Sequence, residues 1–420
     1  MFDLDHWREI YETLWRNKVR TLLTAFGVFW GIFLLMVMLG SGQGLENGVA
    51  QGFTGHATNS FFLWGRATTR PYRGMPSGRP IQMTTDDAAA LRARLAGAQV
   101  IAPRIQLGGF EEGNNVSRGD RAGGFAVMGD HPAIQNIQPM VLELGRFINP
   151  LDLEHRRKVA VIGTRVRDIL FAKGENPIGE SVRIRGVYFL VVGVFRSLQT
   201  GEDAEEDAQT LFVPFTTFQK AFRTGDRVGW FAVTARPGWS AADVLLDARS
   251  VLYGQHRVDP MDVRSFGSFN LEEEYLKIIG VFQGIRWLVW IVGLGTLAAG
   301  VIGVSNILSI VVKERTQEIG IRRAVGATPV TVVGQVIQEA VILTAVAGCL
   351  GLMAGVAAVE SVAWFVARAE NAPEMFLQPG VSLSSALLAL AVLVGSGALA
   401  GLIPAQQAVS LRPVDALRAE

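Results

Sequence analysis

Lys313–Pro329 reads KERTQEIGIRRAVGATP, a short, charge-dense run set between two long apolar runs. Its spacing predicts one amphipathic helix over Glu314–Val325. Glu318 and Arg322 stand at i, i+4 with the acid first, the favourable order. Ile319, Ala324 and Val325 offer small apolar patches between the charges. Gly326 suits a helix C-terminus, where the backbone turns left-handed. Thr328 caps the next helix, with Pro329 at its first position. The chain thus makes a rigid helix and a tight turn, then re-enters an apolar segment. On periodicity alone, two roles are open to it: a charged flank that only sets topology, or a rigid element that transmits displacement.

The flanking runs are membrane spans. Thr21–Leu45 carries no charge, and Leu22–Leu39 is nearly all apolar. Trp287–Val312 is charge-free, and Leu383–Leu402 lies in a charge-free stretch. Ala340–Val359 is charge-free and continues upstream through Pro329–Gln338, broken only by Glu339. Each is long enough to cross a ~30 Å hydrocarbon core as a helix, which takes about 20 residues. A cleaved signal peptide does not fit the first run: its apolar part is too long, and three more spans follow. Arg16, Lys18 and Arg20 precede the first span; Lys313, Arg315, Arg322 and Arg323 lie between the second and third; Arg412 and Arg418 follow the fourth. The loop after the third holds Glu360, Arg368, Glu370 and Glu374, a net acidic set. The positive-inside rule puts both termini and the 313–328 helix in the cytoplasm and the long segment 43–282 outside.

Composition agrees. Charged residues are 18% of the 420, below the roughly 25% of soluble domains, and mean hydropathy is +0.29. A net charge of +1 gives no electrostatic case for nucleic acid. The single cysteine, Cys349, sits in an apolar run, so no disulfide closes within the chain.

Residues 1–20 predict an amphipathic helix on the inner membrane face, with Trp7, Ile10, Tyr11, Leu14 and Trp15 at helical spacing. The outside segment has mixed signals. Thr84–Leu95 predicts a helix capped by Thr84 or Thr85, with Asp86 and Asp87 in its first turn. Val100–Leu107, Gly124–Met128, Lys158–Ile162, Ser181–Ile184, Tyr188–Val194 and Phe231–Ala235 predict strands, Tyr188–Val194 as a run buried on both faces. Gly163–Ala172 and Ser240–Tyr253 predict helices, with a turn between Gly174 and Gly179. Residues 43–83 are expected to be partly irregular, and the five acids of Glu202–Asp207 a solvated loop. The fold class is a membrane protein of four transmembrane α-helices with a large α+β extracytoplasmic domain between the first two. Its segments are 1–20, span one 21–44, domain 45–282, span two 283–312, helix 313–328, span three 329–359, loop 360–382, span four 383–404 and tail 405–420.

Several chemistries are missing. His6, His56, His131, His155 and His256 are scattered, without metal-ligand spacing, and no G-x-S-x-G occurs. The glycines of Gly293–Gly300 lie in a span. A phosphate-binding P-loop needs Gly-Lys, and none of the six lysines follows a glycine. The chain is therefore read as non-catalytic, with no cofactor of its own; any ATP energy comes from another chain.

Ile302–Pro329, IGVSNILSIVVKERTQEIGIRRAVGATP, resembles the same region of MacB/FtsX-like ABC transporter permeases. Asn17–Gly31 resembles the opening of their first span, Gly145–Val166, Pro177–Phe195 and Leu211–Gln219 their periplasmic core domain, and Pro404–Glu420 their C-terminal tail. The resemblance implies a permease subunit in the bacterial inner membrane. ATP and magnesium would bind a separate cytoplasmic ATPase, whose motion the spans relay to the periplasmic domain to drive efflux. It implies a coupling helix in which Glu314, Arg315, Glu318, Ile319, Gly320, Arg322, Arg323, Val325, Gly326 and Ala327 dock the ATPase. It also implies a discontinuous subdomain, 45–125 with 225–275, and an inserted one, 126–224. Expected partners are the ATPase, a second permease chain (identical or diverged), a periplasmic adaptor with an outer-membrane duct, and membrane lipid. MacB itself carries a fused N-terminal ATPase; this sequence lacks one, and it has Gln406 and Gln407 where the family often has basic residues.

Small residues at i, i+4 let spans approach closely. Gly27 and Gly31, Gly351 and Gly355, and Gly397 and Gly401 form such pairs. The first pair is a candidate dimer contact, with packing inside one chain as the alternative. Glu339 is expected to snorkel or to pair with Arg322 or Arg323. Two other functions stay open: a lipoprotein-releasing or envelope-regulating permease, and a membrane-anchored binding or sensor domain, for which a coupling helix has no use.

Overall fold

A computed structural model describes residues 18–53, 57–109, 113–199, 201–369 and 376–410. The helix expected over 1–20 lies outside them up to residue 17, as do Glu370, Glu374 and the tail from 411. The chain divides into two units, 50–279 on one hand and 1–49 with 280–420 on the other.

The elements begin with α1 (Lys18–Gly52), β1 (Ser60–Gly65), β2 (Met83–Thr84), α2 (Thr85–Arg94) and β3 (Ala98–Leu107). Next come β4 (Val116–Arg118), β5 (Arg121–Gly123), β6 (Ala126–Asp130), β7 (Met140–Gly145), α3 (Pro150–Glu154), β8 (Val159–Gly163) and α4 (Thr164–Leu170). Then follow β9 (Ser181–Ile184), β10 (Val187–Ser197), α5 (Gly201–Ala208), β11 (Thr210–Pro214) and α6 (Phe215–Ala221). The unit closes with β12 (Arg227–Val228), β13 (Trp230–Ala235), α7 (Ala241–His256) and β14 (Phe266–Asn270). The remaining elements are helices: α8 (Leu271–Glu314), α9 (Thr316–Ala324), α10 (Pro329–Arg368) and α11 (Leu383–Ser410).

One mixed sheet runs through the α/β unit in the order β14-β1-β13-β3-β6-β11-β8-β10-β9-β4-β5, with β7 also paired to β10. The ten-residue β3 joins its two halves, because its first part pairs with β13 and its last three residues with β6. A buried ion pair crosses that seam, Arg104 Nε to Asp130 Oδ2 at 2.8 Å. The β4–β5 hairpin pairs with β9. Both β8 and β11 are wholly buried, as apolar runs covered on both faces should be.

Two expectations need correction. Early β10 is not buried on both faces: Tyr188 is 62% and Leu190 41% exposed, while Phe189 and Val191 point inward. There it forms a hairpin with β9, and only from Gly193 does it lie between β7 and β8. The five acids are not in a loop but in α5, where Glu202 and Asp203 favour the positive helix start. Their outer face is solvated, yet Asp207 accepts from Ser197 Oγ at 2.6 Å and Gln138 Nε2 at 2.8 Å.

Local signals fared better. Thr84 and Asp87 close a capping box on α2, and Ser240 Oγ accepts from Ala242 N at 3.1 Å to start α7. The 43–83 stretch contains the end of α1 and all of β1. The loop that follows is stapled by Asp262, which accepts from Thr69 N and Oγ1 at 2.6 Å each and from Arg70 N at 3.2 Å.

Among the described residues, four helices are long and apolar enough to cross a membrane: Thr21–Gly52, Leu271–Glu314, Pro329–Arg368 and Leu383–Val409. The second starts earlier than hydropathy suggests. Asn270 Oδ1 caps it by accepting from Glu272 N at 3.1 Å, and three acids fill its first turn. The glycine pairs form seams within the chain. An added Cβ at Gly27 would lie 3.6 Å from Gly300 Cα, and one at Gly31 3.4 Å from Leu297 N, so the first pair faces span two. At Gly355 it would lie 2.6 Å from Met36 Cβ, and at Gly401 2.9 Å from Ile337 Cα. Outward-facing Leu22, Trp287, Val346 and Leu383 are more than half exposed, as a lipid-facing surface requires.

Candidate functional site: the helix between spans two and three

α9 follows span two directly, one residue after α8 ends. Its start is a break at Arg315, whose backbone (φ −96°, ψ 16°) interrupts the long α8. Its end is a Schellman closure. Ala327 N donates to Arg322 O at 3.0 Å and Gly326 N to Arg323 O at 3.2 Å, with Gly326 at φ +110°. Thr328 Oγ1 then accepts from Thr331 N, and Pro329 opens α10. The turn is built as the sequence predicts; the helix is shorter than Glu314–Val325 because α8 takes Glu314.

Three polar contacts clamp α9. Arg315 Nη1 donates to Glu339 Oε1 at 3.2 Å, with Glu339 10% exposed. Arg322 Nη1 donates to Gln335 Oε1 at 3.1 Å. Arg323 Nη1 donates to Val409 O at 2.8 Å, meeting a carbonyl in the last turn of α11. Glu339, expected to meet Arg322 or Arg323, pairs with Arg315, while Arg322 donates to Gln335 and Arg323 to the Val409 carbonyl. Beneath, Ile319 packs on Val312, Val332, Val336, Ala405 and Ala408, and Gly320 is buried.

The ten expected docking residues thus divide. Glu314, Glu318, Arg322, Val325 and Gly326 are exposed; Arg315, Ile319, Gly320, Arg323 and Ala327 are turned wholly or partly inward. Sequence reasoning missed Ile321, 48% exposed, which stands one turn before Val325, 85% exposed. The signal was available: two apolar residues at i, i+4 on the face opposite Ile319. The outward surface is an apolar pair bordered by Glu318 and Arg322.

These features define a class: a multi-pass membrane subunit with an α/β domain inserted after its first span and a clamped helix between its second and third. The MacB-like periplasmic core domain model matches residues 21–251, and the FtsX-like permease C-terminal model matches 290–413. The chain belongs to the MacB/FtsX-like ABC transporter permease family and is an inner-membrane protein. It is 30% identical to the macrolide export ATP-binding/permease protein MacB of Rhodospirillum rubrum, covering 97% of this chain and 59% of that protein. It is also 30% identical to the pyoverdine export ATP-binding/permease protein PvdT of Pseudomonas entomophila, covering 98% of this chain and 59% of that protein. A MacB from Bdellovibrio bacteriovorus is 26% identical over 99% of this chain and 62% of its own length. The chain thus spans about three-fifths of these relatives, their permease part. Among solved structures, the periplasmic region of MacB from Actinobacillus actinomycetemcomitans matches with TM-score 0.42 and 19% identity, over 54% of this chain and 95% of that one.

Proposed function

We propose that this chain is the permease subunit of an ABC exporter working by mechanotransmission. In this reading both termini and α9 lie in the cytoplasm, and α9 docks on an ATPase that binds ATP and magnesium. A second permease chain completes the membrane part. The spans relay ATP-driven motion to the periplasmic domain, which expels periplasmic substrate with an adaptor and an outer-membrane duct. The observation that carries the reading is the clamp on α9. A helix fixed by Arg315–Glu339, Arg322–Gln335 and Arg323–Val409 moves with spans three and four as one body, while Ile321 and Val325 stay outward. An apolar pair held rigidly in solvent suits a protein groove. The names of the MacB and PvdT relatives support export as the outcome.

The test is affinity purification of the tagged chain from its native membrane, with mass spectrometry of what accompanies it. An ATPase should follow the wild type and be lost from Ile321→Asp/Val325→Asp, which alters only exposed side chains. Retention by the variant overturns the docking face; no ATPase with the wild type overturns the coupling reading. Arg323→Glu is a poor probe, because it also breaks the contact with span four.

A further inference from the structure

At the end of the bundle where span one leaves and span two enters, a cleft of about 130 Å3 opens between α1, α8 and the start of α11. Its polar wall is Gln43, Glu46, Arg286, Ser382, Ser384 and Ser385. Arg286 Nη2 donates to Glu46 Oε2 at 2.5 Å, and the pair is accessible, Arg286 50% and Glu46 29% exposed. The segment before α11 is held to span one: Leu377 N donates to Gly44 O at 3.0 Å and Asn47 Nδ2 to Gln378 O at 3.1 Å. Arg286 also heads a second cavity, an apolar groove of about 440 Å3 lined by Trp287, Trp290, Leu294, Leu388 and Val392. One guanidinium therefore stands between a polar cleft and an apolar groove.

Depth says what fills them. Thr21–Leu45 and Trp287–Val312 carry no charge, so Glu46 and Arg286 are the first charges beyond the hydrocarbon-spanning runs. That is the headgroup level, where tryptophans such as Trp287 and Trp290 gather. The groove beside them opens on lipid-facing surface, with Trp287 71% and Leu388 51% exposed.

We propose that the cleft and groove together bind one glycerophospholipid with an amine-bearing zwitterionic headgroup, of the phosphatidylethanolamine type. The Arg286–Glu46 pair has no net charge. A purely anionic headgroup would meet the Glu46 carboxylate, and a purely cationic one would meet Arg286. A zwitterion satisfies both, its phosphate on Arg286 and the serine hydroxyls, its ammonium on Glu46. A guanidinium has five N–H donors, so its bond to Glu46 leaves others for phosphate. The acyl chain then lies along the groove between spans two and four. The site is independent of the docking face on α9.

The experiment places the full chain in nanodiscs of equal palmitoyl-oleoyl phosphatidylethanolamine and phosphatidylglycerol and counts retained lipids by native mass spectrometry. The wild type should retain phosphatidylethanolamine preferentially. Glu46→Gln removes one charge-assisted contact, so the preference should drop about tenfold. Arg286→Ala should lose both lipids. The swap Glu46→Arg/Arg286→Glu keeps an ion pair, and with it the local fold, but should abolish retention by inverting the charges. No preference in the wild type, or unchanged retention in the swap, overturns the proposal. So does a disulfide between two copies of Leu388→Cys in a Cys349→Ala background, since a second chain then covers the groove.

Discussion

His131 gives the α/β unit an acid sensitivity that can be worked out. It directly follows β6, and its ring packs on Phe215, centroids 6.2 Å apart. Burial, and then the charge of Arg92, lower its pKa from 6.5 to about 4. The folded pKa therefore lies below that of the unfolded chain, about 6.5. As pH falls, the unfolded chain is protonated first. Stability is whole above pH 6.5, falls between 6.5 and 4, and levels off below. Linkage gives a loss of about 2 kcal/mol at pH 5 and about 3 kcal/mol when complete. Asp152 and Asp262 act lower. Burial raises each, but hydrogen bonds outweigh it, from Arg146 and Asn149 N to Asp152 and from Thr69 and the Thr69, Arg70 and Arg264 amides to Asp262, so both lie below the ordinary value. Their stabilisation is present above about 3.9 and is lost as pH falls through the depressed values, so it is flat between pH 7 and 5. Hydrogen exchange of the full chain in nanodiscs, corrected for intrinsic exchange, reads the effect at β6 and β11. Protection should fall roughly twentyfold from pH 7 to pH 5 in the wild type and stay level in His131→Leu. Equal protection at both pH values in the wild type, or an equal fall in the variant, refutes the reasoning.

Two further perturbations have stated sizes. Asp152 is fully buried, takes Arg146 Nη1 at 2.6 Å and Nη2 at 3.1 Å, and closes a capping box with Asn149. Asp152→Ala should cost about 3 kcal/mol, low in the range for a broken buried pair because Arg146 can turn to water, seen as lost exchange protection at α3 and β8. Gly355→Val should lower the thermal midpoint in nanodiscs by overpacking Met36, about 1–3 kcal/mol. Gly395→Ala, where an added Cβ meets nothing within 4 Å, should be neutral or slightly stabilising.

What the sequence alone determined was local or periodic: four spans from charge-free runs, the Thr84, Ser240 and Thr328 caps, and the Gly326 turn. Each of these is settled by the solvent preference of one run or by hydrogen bonds within a few residues, so composition and spacing carry them. Only the tertiary structure decided the rest. It paired β1 with β13 and β14 and β7 with β10, none of which short-range pattern could reveal. On α9 it turned Arg315 and Arg323 inward and left Ile321 outward. The deciding partners lie 24 residues away at Glu339 and 86 at Val409, and the cleft pair Glu46–Arg286 is 240 apart. Periodicity says that a helix has two faces. Which face is clamped depends on which distant backbone and side chains the packed spans bring within hydrogen-bond reach.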